Sequence, residues 1–489
     1  MIGSRPVADA PEAMTTSECD LLWFRRDLRL ADHPALMAAA ATGLPVIPVF
    51  VWDVQETPAT GAASGWWLHQ SLERLDAALR AKGSSLIVRR GPAAETLAAL
   101  AAETHARRIF GDRVFEPGAL ECEAEVERRL HAQGVALEGF NGSLLFEPGS
   151  IRNTAGRPFQ VFTPFWRACW NLRGEMRQPL SEPGKIPAPD KWPESLTIAE
   201  LKLEPRIDWA AGIRAAWTPG EKTARERLRK FAEDGVSRYG AERDRPDQEG
   251  TSRLSPHLHF GEISPVEVWR AVADRSGAEG YLRQLAWREF SYHLLCAHPE
   301  TVREPFQARF RAFPWRRNRR RLQAWQRGQT GYPYVDAAMR ELWTTGWMHN
   351  RARMAVASFL VKHLLIPWQD GAAWFLDTLV DADLANNTMG WQWTAGCGVD
   401  VVPYFRVFNP VLQGEKFDRA GEYVRRWVPE LGGLPANWIH QPWAAPPWAL
   451  AEAKVKLGDT YPLPIVDHAT ARAEALEAFG VMKEAADRI

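Results

Sequence analysis

Cysteine is sparse and badly placed for cross-linking. The five in this chain, Cys19, Cys122, Cys169, Cys296 and Cys397, are widely separated, odd in number and form no CxxC pair. That pattern argues against a disulfide framework, a zinc ribbon or a cysteine-ligated iron–sulfur cluster, and it points to a reducing, cytoplasmic setting. HExxH is absent, and His257-x-His259 and the pair His293 and His298 lack partners at ligand spacing, so no metal site is expected. No apolar run reaches the length of about 18 residues that a membrane span requires. Residues 1–18 lack the basic-then-apolar order of a signal peptide and read as a flexible tail. Net charge is missing as well: 60 Lys and Arg balance 60 Asp and Glu. This excludes a polybasic nucleic-acid binder but leaves room for a local basic groove.

Tryptophan is what the chain has in excess, with 23 residues against 8 tyrosines. The length of 489 residues fits two or three domains. Over residues 19–150, Leu21–Phe24, Pro45–Trp52, Ser85–Val88 and Arg108–Phe110 read as buried parallel strands, with helical spacing in Trp66–Arg80, Ala93–Thr104 and Leu120–His131. This rhythm predicts a doubly wound, Rossmann-like α/β domain. No GxGxxG follows the first strand, so the dehydrogenase fingerprint is absent. Residues 151–220 read as a connector, proline-rich from about Asn171 to Gly220. Residues 221–489 form the second, larger domain, helical almost throughout to about Trp427.

Several clusters carry chemistry. Thr251, Ser252, Arg253, Leu254 and Ser255 place three hydroxyls and a guanidinium in five residues, suited either to a phosphate or to capping the helix that starts near Pro256. Asn350, Arg353 and Met354 share one helical face, an unusual mixture for a core. Asp381 and Asp383 stand at i, i+2 and do not share a face. Pairing with an arginine such as Arg353, or accepting polar ligand groups, fits them better than joint acid–base work, with solvated loop acids as the alternative. Between Arg311 and Arg327 lie seven arginines and no acid, interleaved with Trp315 and Trp325. That run fits phosphate tracking with stacking, or a solvated helix face.

Taken jointly, the strings LLWFRRDLRLADHPAL, EGTSRLSPHLHFGEIS, WREFSYHLL, TGYPYVDAAMRELWTTGWMHNRARMAVASFLVKHLL, DTLVDADLANNTMGWQWTAGCGVD and PYFRVFNPVLQGEKFD resemble the photolyase/cryptochrome family from about Asp20 to about Ala478. The resemblance is strongest to bacterial cyclobutane pyrimidine dimer photolyases of class III. It implies an N-terminal α/β antenna domain and a helical domain holding FAD. Tyr239 and Thr251 to Ser255 would cradle the FAD phosphates and ribityl chain. Arg353 and Asp381 would pair over the flavin ring, with Ala382 and Asp383 at its edge and Asn387 beside N5. An amide cannot supply a proton to N5, so Asn387 favours the anionic reduced flavin that repair requires.

The resemblance also implies light-driven electron transfer to a flipped-out dimer in UV-damaged DNA. Trp287 and Trp393 match the walls of the lesion pocket, and Asn350 and Met354 its floor. Arg243, Arg288, Arg351 and Gln413 match DNA-contacting positions, and Trp391, Trp368 and Trp315 match an electron-transfer chain. One position departs from the pattern: cyclobutane-dimer photolyases carry Glu three residues before the tryptophan matched by Trp287, and here Gln284 stands there. The expected consequence is less efficient repair. Class III members imply methenyltetrahydrofolate as antenna, with Glu116 a candidate contact, although the Cys-Lys pair of the class I folate site is replaced by Thr301-Val302-Arg303. The competing implication is a cryptochrome-type photoreceptor. Asn387 and the pocket residues argue for repair, as does the short helical tail after Pro464; Gln284 leans the other way. A monomer is expected.

Overall fold

The structure, a computed structural model, describes residues 18–54, 61–205, 207–401 and 405–486. The tail expected over residues 1–18 lies outside these except for Glu18.

The N-terminal unit is a parallel sheet of β1 (Cys19–Phe24), β2 (Val46–Trp52), β3 (Ile87–Arg90), β4 (Ala106–Asp112) and β5 (Ala136–Phe140), ordered β3-β2-β1-β4-β5. Alternation along β1 shows why its residues are nearly all apolar. Leu22 and Phe24 enter the core beneath α1 (Pro34–Ala41) and α2 (Ala62–Ala81). Leu21 and Trp23 enter the opposite core with α3 (Ala93–Thr104) and α4 (Pro117–His131). A strand covered on both faces loses the polar half of its pattern. Sequence periodicity placed β3 two residues early and missed β5, an edge strand whose five residues are only half-buried or exposed. Helix α1 was also missed; its start is fixed by Pro34 and by His33 Nδ1, which accepts the Leu36 amide at 3.1 Å.

The stretch 151–220 contains a helix, α5 (Phe162–Leu172), whose Phe162, Phe165 and Trp166 pack into a core shared with the helical domain. The proline-rich remainder laces back over the sheet domain. The amide of Val46 donates to Pro187 O at 2.8 Å, that of Leu196 to Val88 O at 3.0 Å, and that of Asp32 to Leu180 O at 2.8 Å.

The helical domain is built on α6 (Glu221–Lys230), α7 (Ser255–His259), α8 (Ala278–Ala297), α9 (Arg319–Gln326), α10 (Pro333–Thr345), α11 (Asn350–Ser358), α12 (Trp368–Thr378), α13 (Leu384–Ala395), α14 (Pro410–Phe417) and α15 (His468–Ala486). None of the helices among the described residues is long and apolar enough to cross a membrane.

The two domains meet through buried polar groups. Arg29, 1% exposed, donates to Gly261 O at 2.9 Å and to Gly142 O and Asp32 O at 2.8 Å. The Glu221 carboxylate accepts the amides of Leu30 and Ala31 at 2.8 and 3.0 Å. Glu262 accepts from Trp67 Nε1 at 3.1 Å and from the Ser71 hydroxyl. Gly261 adopts φ +64° with its backbone against the Arg26 carbonyl, where a Cβ would overlap. Gly261→Ala is expected to lower the urea midpoint well beyond Gly134→Ala. The latter also has positive φ but nothing within 4 Å, so it carries only the backbone cost of about 1–2 kcal/mol. Equal midpoints would show that the seam tolerates the added methyl group.

Candidate functional site

A cavity of about 570 Å³, open to solvent, lies between α8, α11, α12 and α13. Helix α11 presents Asn350, Arg351, Arg353 and Met354 to it, while α8 presents Gln284, Trp287 and Arg288. From α13 and the turn before it come Asp381, Asp383, Asn387, Trp391 and Trp393, and Arg243 stands at the rim. Residues more than a hundred positions apart in sequence thus share one pocket. Phe375 and Leu379 of the α12 segment add apolar wall.

Local structure fixes the polar groups. Arg353 Nη2 sits 2.9 and 2.8 Å from the two Asp381 oxygens, and its Nε donates to Met348 O at 2.8 Å. Asp383 caps α13, accepting the Asn386 amide at 2.8 Å and the Asn386 side chain at 2.6 Å. Burial opposes ionisation of Asp383, but the hydrogen bond and charge of His259, with Arg288 and the Tyr292 hydroxyl, hold its carboxyl well below the usual range. Asn387 Nδ2 donates to Ala372 O at 3.1 Å, so the side-chain oxygen is the end free to turn elsewhere. Trp287 stacks on Phe162 with centroids 3.7 Å apart, leaving its other face toward the cavity. Trp393 is fixed by donation to Asp400 O at 3.2 Å. Arg351 pairs with Asp244 at 2.8 Å and lies over the Phe417 ring; Arg288 donates to Ser143 O at 2.8 Å. The rim is therefore basic and partly aromatic.

The hydroxyl-rich segment lies behind this cavity. The first residue of α7 is Ser255, and its cap position is Leu254 with no side-chain bond, so the helix-capping alternative does not apply. Ser252 Oγ receives the Tyr281 hydroxyl at 3.0 Å, and Ser255 Oγ receives Trp347 Nε1 at 3.2 Å. Arg253, at φ +51°, stacks over Trp217 and Trp347 at 4.3 and 4.9 Å, and Arg227 covers Trp217 at 5.3 Å. Burial lowers the pKa of both guanidiniums, and Arg227 adds to the effect on Arg253. Among the described residues neither has a carboxylate within 4.0 Å, and Arg253 Nε has no hydrogen-bond partner. Two half-buried like charges, with Glu249 and Glu341 acting on them only at longer range, fit an anion of pyrophosphate type. Buried Tyr239 packs edge-on to Phe231 and Tyr281 beside them. A dinucleotide such as FAD fits this donor set together with the adjoining cavity.

Other expectations land elsewhere. Gln413, on α14, does not line the cavity; it is half-buried, next to Leu412, which is 56% exposed. Trp325 is wholly buried, with Nε1 donating to Val356 O at 3.0 Å, so the arginine run between Arg311 and Arg327 is no stacking platform at that ring. Trp391 and Trp368 are each 2% exposed and belong to one core, against which the half-buried Trp315 packs. Glu116 and Ala382 line a separate, narrow cavity of about 60 Å³ between the domains, with Arg25, Arg26, Trp52 and His259. Glu116 is ion-paired to Arg26 there.

Sequence reading missed Tyr292, His259 and Glu341. Glu341 lies close enough to Arg253 and Arg353 to feel both charges, and it accepts from Tyr423 Oη at 2.6 Å. Its contacts span 82 residues, so no local spacing signals it.

Two family patterns match the chain: one described as DNA photolyase over residues 20–184, and one described as the FAD binding domain of DNA photolyase over residues 281–481. A deoxyribodipyrimidine photo-lyase from Agrobacterium fabrum is 46% identical over 95% of this chain and 98% of its own length. Cryptochrome-1 from Arabidopsis thaliana is 40% identical over 96% of this chain and 72% of its own. The crystal structure of a class III photolyase from Agrobacterium tumefaciens superimposes with a TM-score of 0.93 at 44% identity, covering 97% of this chain and 100% of that one.

Burial raises the Glu341 pKa to about 7 against opposing bonds from Tyr423 and the His349 amide. The unfolded chain releases this proton near the ordinary carboxylate value and the folded chain only near 7, so stability falls as pH rises between the two. In the apoprotein, Glu341→Gln is expected to flatten that loss, gaining at most about 3 kcal/mol over wild type at pH 8 and little at pH 4.5. Urea midpoints at the two pH values measure it, and a difference of the same size at both would refute the linkage.

Proposed function

The chain belongs to the DNA photolyase/cryptochrome family, and on that premise we propose that it is a light-dependent DNA repair enzyme, a deoxyribodipyrimidine photo-lyase acting on cyclobutane pyrimidine dimers. The observation that carries this reading is the single cavity where Trp287, Trp393, Asn350 and Met354 meet Arg353, Asp381 and Asn387. A flipped dinucleotide needs aromatic walls and a polar floor, and it needs them beside the redox group.

FAD, when bound and reduced, supplies the photoexcited electron that splits the cyclobutane ring and is then returned. The protein's own work is positioning. Arg253 with the hydroxyls of Ser252 and Ser255 would hold the phosphates, and Arg353, fixed by Asp381, would keep positive charge beside the flavin ring. The ionised Asp383 would accept polar hydrogens at the ring edge, and Asn387 would offer N5 an amide that cannot donate a carboxylic proton. Arg243, Arg288 and Arg351 neutralise backbone phosphates of the damaged strand. Trp391 and Trp368, which share one core, and Trp315, packed against it, would relay electrons to that cofactor.

Methenyltetrahydrofolate is assigned to the interdomain cavity at Glu116. That cavity opens at the carboxyl ends of β1, β2 and β4, where doubly wound sheets bind ligands, and Trp52 and Phe260 offer flat surfaces. The same reading places a monomer in the bacterial cytoplasm, consistent with free thiols at Cys19, Cys169, Cys296 and Cys397.

Illumination of the FAD-loaded protein with dimer-containing single-stranded DNA is expected to restore the thymine absorbance band; no recovery would overturn repair in favour of a photoreceptor. Trp287→Ala is expected to weaken binding of that DNA by about 1–3 kcal/mol while leaving flavin content intact. Gln284 lines the cavity and, among the described residues, is held by no more than a long 3.4 Å contact to Gly280 O, which leaves it to meet the lesion. Gln284→Glu is expected to raise the repair quantum yield, and an unchanged yield would sink that role.

A further inference from the structure

The arginines between Arg311 and Arg327 remain unused by the repair site. None of them lines the large cavity. Arg316, Arg317, Arg319 and Arg320 are exposed and Arg321 is half-buried, all within six residues of Trp315. At about 3.3–3.6 Å per residue they cannot lie more than about 20 Å from that ring along the chain. Arg311 pairs with Glu304 at 2.8 Å and Arg316 with Glu474. Asp370 feels Arg317 only at longer range. Among the described residues, Arg317, Arg319, Arg320 and Arg321 have no carboxylate within 4.0 Å. Cations concentrated this way cost self-repulsion, and a solvated helix face gains nothing from having only one sign.

Their placement matters because of the ring they directly follow in the chain. Trp391 and Trp368 are each only 2% exposed, and Trp391 meets solvent only through the cavity that the flavin would fill. Trp315 is only partly buried, packed against Phe313 with centroids 4.4 Å apart. If the three rings relay an electron inward, as the proposed function holds, Trp315 is the one left oxidised and also the one within reach of solvent.

We propose that the arginine cluster following Trp315 in the chain is a docking surface for a small anionic one-electron donor, which refills the oxidised Trp315. The donor loses one electron and the indole radical cation gains it; no bond forms or breaks, and no proton need move. Charge complementarity selects the occupant. A basic patch raises the local concentration of an anion and steers its encounter by tenfold or more, and salt removes the advantage over a Debye length of about 10 Å.

The inference rests on the electron-relay reading, and flash photolysis of the FAD-loaded protein separates the two. Hexacyanoferrate(II) serves as the anionic probe and hydroquinone as the neutral one, with decay of the tryptophan radical as the readout. In the triple variant Arg317→Glu, Arg319→Glu, Arg320→Glu, the second-order rate constant for hexacyanoferrate(II) should fall at least tenfold at low salt. The constant for hydroquinone should stay within twofold, and the corresponding triple Gln variant should fall in between. In wild type, raising the salt to 1 M should erase most of the difference between donors. A hexacyanoferrate(II) constant within twofold of wild type overturns the proposal, as does an equal fall for both donors. A variant that loses affinity for dimer-containing DNA while keeping its donor kinetics also overturns it, because the patch would then serve nucleic acid. In Trp315→Phe the long-lived radical should vanish with every donor; its persistence would remove the relay reading itself, whatever the arginines do.

Discussion

A guanidinium with almost no access to water ties the molecule together. Arg29, in the loop after β1, crosses the junction between sheet and helices and ends on carbonyl oxygens of Gly261, Gly142 and Asp32. A buried charge is tolerated only if its donors are satisfied, and no single domain supplies all of these acceptors. The helical domain and the loop after β5 must therefore be in place for Arg29 to be buried. Glu221 and Glu262 repeat the logic from the other side, each a helical-domain carboxylate taking donors from the sheet domain. Gly261 lets the backbones approach closely enough for these bonds to form.

That junction sets the position of both cavities. The smaller one lies in the seam itself, at the carboxyl ends of the strands. The larger one begins on the far side of the loop Asp381–Asp383, whose Ala382 belongs to the seam while its two carboxylates face the site. Asp383 is held ionised by His259, Arg288 and Tyr292, with Arg26 and Glu116 of the sheet domain close behind. The electrostatics of the cofactor edge and of the interdomain cavity are thus coupled through a few shared side chains.

Particular residues show how much of this the chain announces. The buried strands β1, β2 and β4 were legible because continuous apolar runs between helical segments have few other meanings. β5 was not, since Glu138 and Gly139 on a half-exposed edge break any apolar pattern. The tryptophan excess divides in a similar way. Trp66, Trp67, Trp269 and Trp325 are fully buried and fill space, whereas Trp287 and Trp393 wall the open cavity. Nothing local distinguishes these two groups. Trp325 sits among arginines and looks as exposed in sequence as Trp315, yet α9 turns it inward against Phe375 and Trp391.

The sequence alone determined the two-domain plan, the family and most of the residues that share the cavity, because motif strings preserve residue type at fixed local spacing. Only the tertiary structure decided which of them face one another. Arg353 reaches Asp381 across 28 residues, and Glu341 meets Tyr423 across 82, while Gln413 turns out to lie away from the pocket. Burial, pairing and the state of a carboxyl such as Asp383 depend on distances between elements, and those distances are set by packing across the Arg29 seam, which no local stretch of chain encodes.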